Sequence, residues 1–223
     1  MGDIIDRPRS KRGGARPGAG RPKTNRRRGG PHRARPDLSP RHPVHVTLRA
    51  RRYFPEMRRR DYYTIIRRVL ARYLGREDFR VVHGSIQQSH FHFLVEASNK
   101  RALTRAIQSL TIALSKALTG GRGKVFPERY HAVQIRSARQ ARNTLAYVLN
   151  NWRRHRADGA SQAPVDPYSS GVTFGGWSEP VRFTVPPEYE PLPMSPARTS
   201  LLASDWRQYG LIDPFERPGP RGA

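Results

Sequence analysis

Val44, Val46 and Leu48 alternate with His45, Thr47 and Arg49, an apolar period of two that predicts a strand with one buried face. Over residues 58–74 the period lengthens. Tyr62, Ile65, Ile66, Val69, Leu70 and Tyr73 fall at i, i+3, i+4, i+7, i+8 and i+11, with arginines opposite, which predicts an amphipathic helix with a basic outer face. Residues 79–96 predict a hairpin of Phe79 to Ile86 and Ser89 to Glu96, turning near Gln87-Gln88. Asn99 can cap a second helix whose stripe is Leu103, Ile107, Leu110 and Leu114, and Gly120-Gly121 stops it. Arg129 to Arg136 predicts a fourth strand, with Tyr130, Ala132 and Gln134 opposed to His131, Val133 and Ile135. Ser137 then caps a third helix running to about His155, with Ala141, Leu145, Val148, Leu149 and Trp152 as its stripe.

Strand, helix, strand, strand, helix, strand, helix is the order of an α+β fold. Its first six elements match the ferredoxin-like split βαβ pattern, an antiparallel sheet with helices on one face, and an additional C-terminal helix follows. In that topology the first and third strands are central, and the other sheet face is expected to be free for a site. No internal repeat is visible.

Composition divides the chain in three. Residues 1–42 hold 13 basic and 3 acidic side chains and almost no large apolar ones, so a disordered basic arm is expected. Within it, Gly18-Ala19-Gly20-Arg21-Pro22-Lys23 resembles the short Arg-Pro hooks that enter the minor groove, although a solvated tail adding phosphate affinity reads the same. Residues 43–156 form the expected folded domain, with 24 basic and 6 acidic side chains. Residues 157–223 carry 5 basic and 8 acidic ones and eleven prolines, so an irregular extension is expected there, partly laid over the domain and ill suited to direct DNA contact.

The whole chain of 223 residues carries a formal charge of +25, which would repel itself unless a polyanion is the working partner. Nucleic acid is the first candidate and a membrane surface the second. No apolar run approaches the roughly 20 residues of a spanning helix, and Met1 to Arg12 lacks the apolar stretch of a secretion signal, so an intracellular, soluble protein is expected. With no cysteine, disulfides and thiolate metal sites are excluded.

Two short segments carry the candidate chemistry. In Ser89-His90-Phe91-His92-Phe93-Leu94-Val95, a strand projects His90 and His92 to one face and Phe91, Phe93 and Val95 to the other. Two neutral imidazoles so placed can chelate one divalent ion; they read equally as polar residues on a solvent-facing strand. In Asn143-Thr144-Leu145-Ala146-Tyr147-Val148-Leu149-Asn150-Asn151-Trp152, Tyr147 and Asn151 are four apart and share a helix face, about a third of a turn from the apolar stripe. His45, His83 and His131 are lone histidines in strand patterns and read as structural.

Together the segments resemble the HUH single-tyrosine transposases, those of the insertion-sequence-200 type and the repeat-associated tyrosine transposases. His90-Phe91-His92-Phe93-Leu94-Val95-Glu96 resembles the family's metal strand. Phe126-Pro127-Glu128-Arg129-Tyr130-His131 resembles its fourth-strand entry, and Tyr147-Val148-Leu149-Asn150-Asn151 its nucleophile helix. The resemblance spans residues 43–156 and, more loosely, Pro167-Tyr168-Ser169-Ser170. Trp152 stands where the family often has proline, and Gln87, Gln88 and Ser89 supply no extra carboxylate.

The resemblance implies that His90, His92 and Asn151 hold a divalent metal, Mg²⁺ or Mn²⁺, and that Tyr147 attacks a phosphodiester to give a 5′-phosphotyrosine and a free 3′-hydroxyl. It also implies hairpin-associated single-stranded DNA as partner, a homodimer, and a cytoplasmic, nucleoid-associated location. Arg153, Arg154 and Arg156, after the nucleophile helix, are candidate phosphate contacts, as are Arg58 to Arg60, Arg67, Arg68 and Arg72; a solvated face reads the same. The alternative is a catalytically silent, domesticated binder of single strands or hairpins. A split-βαβ RNA-binding module fits less well, because Phe91 and Phe93 point to the core side when the histidines point out.

Overall fold

The computed structural model describes residues 36–159, 163–181 and 187–219. The Arg-Pro string at residues 18–23, and the arm as far as residue 35, lie outside them. Four strands, β1 (Val44–Arg49), β2 (Phe79–Ile86), β3 (His90–Ala97) and β4 (His131–Gln134), form an antiparallel sheet in the order β2-β3-β1-β4. The helices are α1 (Arg60–Ala71), α2 (Lys100–Thr119), α3 (Ala138–Leu149), α4 (Asn151–Arg154) and α5 (Ser200–Ala203). The α+β split βαβ order read from the chain is the observed one, with β1 and β3 at the centre.

Local chemistry accounts for most element ends. The Asn99 side chain accepts from the Ala102 amide and the Ser137 side chain from the Gln140 amide, each satisfying a donor at a helix start. Gly120 closes α2 in the left-handed region at φ 60°. α1 is shorter than its apolar pattern, and Tyr63 is buried in place of Tyr62, because the Tyr63 hydroxyl donates to the Glu190 carbonyl and its ring stacks on Tyr189. The third helix does not run unbroken to His155. Asn150, at φ −103° and ψ 13°, separates α3 from α4.

Val46, Leu48, Phe91, Phe93 and Val95 face α1 and α2 in the larger apolar cluster. A bulge at Val82 then turns β2 over. Val81 pairs with Val95, but His83 pairs with Leu94 and Ser85 with His92, so His83 and Ser85 join the opposite face. Gly84 is required there, since a Cβ would lie 2.8 Å from the Phe93 ring.

That opposite face is not free. Val82, Leu94 and Ile135 are covered by Ala141, Leu145 and Val148 of α3 and by Leu202, Trp206 and Ile212. The expectation of an open face fails because the short segments carrying Leu202, Trp206 and Ile212, without sustained apolar periodicity, supply the missing apolar surface. The same region is tied down by charge. Arg58 and Asp166 form a bidentate pair at 2.8 and 2.9 Å, with the carboxylate fully buried. Glu96, buried on β3, accepts from the Arg198 and Thr199 amides and the Thr199 hydroxyl. Among the described residues no helix is long and apolar enough to cross a membrane.

Two stability predictions follow from these contacts. Asp166→Ala strands the Arg58 guanidinium in the interior, and urea unfolding is expected to show a loss of about 3–5 kcal/mol. His83, packed against Phe174 and Ser170, is held by burial at a pKa of about 4, below its ordinary 6.5. The unfolded chain therefore takes up this proton first as pH falls, so the His83 contribution to stability is complete above pH 6.5 and is lost between pH 6.5 and 4. His83→Gln is expected to flatten the urea midpoint across that window.

Candidate active site

The register of β1 against β3 sets Thr47 opposite His92 and Arg49 opposite His90. Directly opposed residues share a face, so β1 brings its polar positions up to the His90–His92 pair. The Nε2 atoms of His90 and His92 stand 3.0 Å apart. Behind them, His92 Nδ1 lies 3.0 Å from His45 Nε2 and 3.3 Å from Thr47 Oγ1. A proton on His92 Nδ1 donates to either partner and leaves the Nε2 lone pair turned towards His90. His45, which the sequence presents as a lone structural histidine, is thus the third member of an imidazole row. Its signal was the shared period with Thr47 and Arg49; the partner depended on strand register.

α3 lays Tyr147 across this row. The half-buried phenol ring is 5.2 Å from the His92 ring and 5.7 Å from that of His45, both edge-on. One turn past Asn151, the His155 ring lies 5.4 Å from that of His90. Burial, with Arg154 and Arg58 nearby, pushes the His155 pKa down. Tyr147, Asn151 and His155 recur every four residues, and the outer two touch the histidine pair. Between them Asn151 is fully buried, and neither its Oδ1 nor its Nδ2 has a hydrogen-bond partner among the described residues.

The spacing of the two imidazoles fits a small divalent cation. Two imidazole nitrogens at right angles on one ion, each about 2.1 Å away, stand about 3 Å from one another. The orphaned Asn151 amide is an oxygen donor that the fold has dried without satisfying. Among the described residues no group of three His, Asp or Glu side chains is set to hold a metal. A site built on two imidazoles and an amide would itself be neutral.

Beside Tyr147 and His45 opens a cleft of about 720 Å³, bordered by Arg139, Arg142 and Asn143 of α3 and by Glu216 and Arg217. Arg142 is neutralised there by a bidentate pair with Glu216 at 2.7 and 2.8 Å. The three candidate DNA arginines separate. Arg154 and Arg156 are exposed, and the Arg154 guanidinium lies 5.8 Å from the Tyr147 ring centre. Arg153 is buried: it donates to the Pro164 and Pro214 carbonyls and pairs with Asp158, so its place among the DNA contacts is corrected to a structural one. The same applies to Arg58, while Arg60 and Arg67 pair with Glu188 and Glu190.

No protein-family model and no curated protein matches the chain. Among solved structures it is similar to a REP-associated tyrosine transposase bound to a REP hairpin, at 14% identity and a TM-score of 0.50, over 65% of this chain and 84% of that one. The likeness is one of fold.

Arg153→Ala is expected to lower stability by about 2–3 kcal/mol, from loss of charged hydrogen bonds. Arg154→Ala, at an exposed position, is expected to change stability by no more than about 0.5 kcal/mol. Calorimetry on the two variants separates these roles.

Proposed function

We propose that the protein is a metal-dependent strand transferase that nicks and rejoins single-stranded, hairpin-associated DNA through Tyr147. The observation that carries the reading is the Tyr147 ring lying against His92, whose Nε2 converges with that of His90. The fold shared with a hairpin-bound tyrosine transposase supports it, as does a folded domain that is itself strongly basic.

In this reading His90, His92 and Asn151 hold Mg²⁺ or Mn²⁺. The bound ion supplies Lewis-acid polarisation of the scissile phosphate. His45 and Thr47 fix the His92 ring and its tautomer, a positioning role. Tyr147 Oη forms a bond to phosphorus as the P–O3′ bond breaks, and the phenol proton is balanced by the one gained at the released 3′-oxygen. The 5′-phosphotyrosine retains the energy of the diester, so a second 3′-hydroxyl can reverse the step. Arg154, at the tyrosine ring and exposed, is placed to hold the phosphate chain.

The decisive experiment incubates the protein with labelled hairpins bearing single-stranded flanks, with Mg²⁺ or Mn²⁺. A covalent protein–DNA adduct is expected, absent in Tyr147→Phe and with chelator, while salt-sensitive binding persists in Tyr147→Phe. Binding without any adduct would leave the silent hairpin binder. His45→Ala is expected to weaken Mn²⁺ binding, read by calorimetry, by roughly 10–100-fold.

A further inference from the structure

We propose that the loop from β1 to α1, residues 50–59, together with Tyr62 forms a stacking platform for unpaired bases of the DNA strand, with Tyr53 as its contact ring. This deepens the strand-transferase reading and rests on it. Tyr53 is 86% exposed, more than any other large apolar or aromatic side chain described. A ring presented to water on that scale adds nothing to the core, so it is available as contact surface.

Tyr53 stands in a set of rings and guanidiniums. Phe54 and Tyr62, both half-buried, stack at 5.8 Å and 23°. Arg51 lies 5.9 Å from the Phe54 ring centre, Arg52 5.7 Å from that of Tyr53, and Arg59 5.1 Å from that of Tyr62. Aromatic faces interleaved with arginine suit a flexible polyanion whose bases are unpaired, because every base offers a π face and every linkage a charge. A duplex hides those faces, and an acidic peptide would not need them. The acids within the segment are Glu56 and Asp61, of which Asp61 is held by Arg59. Arg49, Arg51 and Arg52 are exposed and form no ion pair among the described residues.

The platform is fixed in place. The Ala50 amide donates to the Ser89 carbonyl, that of Met57 to Gln88 and that of Arg51 to Val125, at 2.8–2.9 Å, and Met57 is fully buried beneath. Ser89 immediately precedes His90, and Arg49 is paired across the sheet with His90. The loop therefore leaves β1 at the end where Arg49 is paired with His90, and its Phe54 and Tyr62 rings pack against the apolar cluster under α1 and α2. A strand passing this end of the sheet would meet the exposed Tyr53 ring.

The test uses the full chain and two hairpins, one blunt and one with an unpaired flank carrying 2-aminopurine. The parent protein is expected to quench the 2-aminopurine and to bind the flanked hairpin more tightly than the blunt one. Tyr53→Ala is expected to weaken flanked binding about tenfold, to abolish quenching and to leave blunt binding and the unfolding midpoint unchanged, while Tyr53→Trp restores both losses. Arg52→Ala is expected to weaken binding to the flanked hairpin and to reduce its salt slope by about one. Unchanged flanked binding and quenching in Tyr53→Ala overturn the platform and leave the strand-transferase reading standing. So does an equal loss on the blunt hairpin, which puts the ring on duplex. If the parent protein binds neither hairpin, the broader reading falls and takes this one with it.

Discussion

The antiparallel pairing of β1 with β3 holds the site in place. His45, Thr47 and Arg49 belong to one strand and His90 and His92 to the other, and only one register sets Thr47 opposite His92. A slip by one residue would send the β1 histidine into the apolar layer under α2 and bring Val46 or Leu48 up beside the metal-type pair. The register is specified from below, because Val46 and Leu48 must meet Phe93 and Phe91 in the core. Apolar packing on one face thus fixes polar geometry on the other. Leu94, two residues beyond His92 on the same face, is already part of the cluster that seats α3. The imidazole row is a polar notch at the edge of an apolar contact, and seating α3 on Leu94 brings Tyr147 over it.

The extension after residue 157 completes the domain in two ways. Trp206, Ile212 and Leu202 close the second face, while Asp158, Asp166, Glu188, Glu190 and Glu216 pair with Arg153, Arg58, Arg60, Arg67 and Arg142. A basic domain of this density repels itself, and these carboxylates relieve that repulsion where they sit. Their distribution also divides the cations. Arginines paired with the extension hold the fold, and those left exposed, Arg49, Arg51, Arg52, Arg154 and Arg156 among them, define where an external polyanion can lower the energy further.

Much of this was legible in the chain because it rests on periods and caps. Alternation gave the strands, Asn99 and Ser137 gave helix starts, and the two faces of β3 separated His90 and His92 from Phe91 and Phe93. What could not be read depends on contacts distant in sequence. His45 looks structural until the register sets it on His92. Arg153 looks like a surface cation until Asp158, Pro164 and Pro214 enclose it. Tyr62 and Tyr63 both satisfy a helical stripe, and Tyr189, more than a hundred residues on, selects the second. The covered sheet face was hidden for a similar reason: Trp206 and Ile212 sit in short irregular turns that carry no period.

The break at Asn150 bears on how an anion could approach Tyr147. The C-terminal end of a helix carries unsatisfied carbonyls and a partial negative charge, so a phosphate near the last turn of α3 is opposed by the helix itself. Nucleophiles facing phosphates are better served at helix N-termini, where the dipole helps. Here the opposition has to be offset locally. Arg153 and Arg154 in the next turn supply part of the compensation, and one of them is consumed by Pro164, Pro214 and Asp158. On the strand-transferase reading, the remaining burden would fall on Arg154 and on a cation held by His90, His92 and Asn151. A helix end of the wrong sign beside the phenol would thus give the proposed divalent ion a physical role at the row: it would offset the field that opposes a phosphate near the tyrosine.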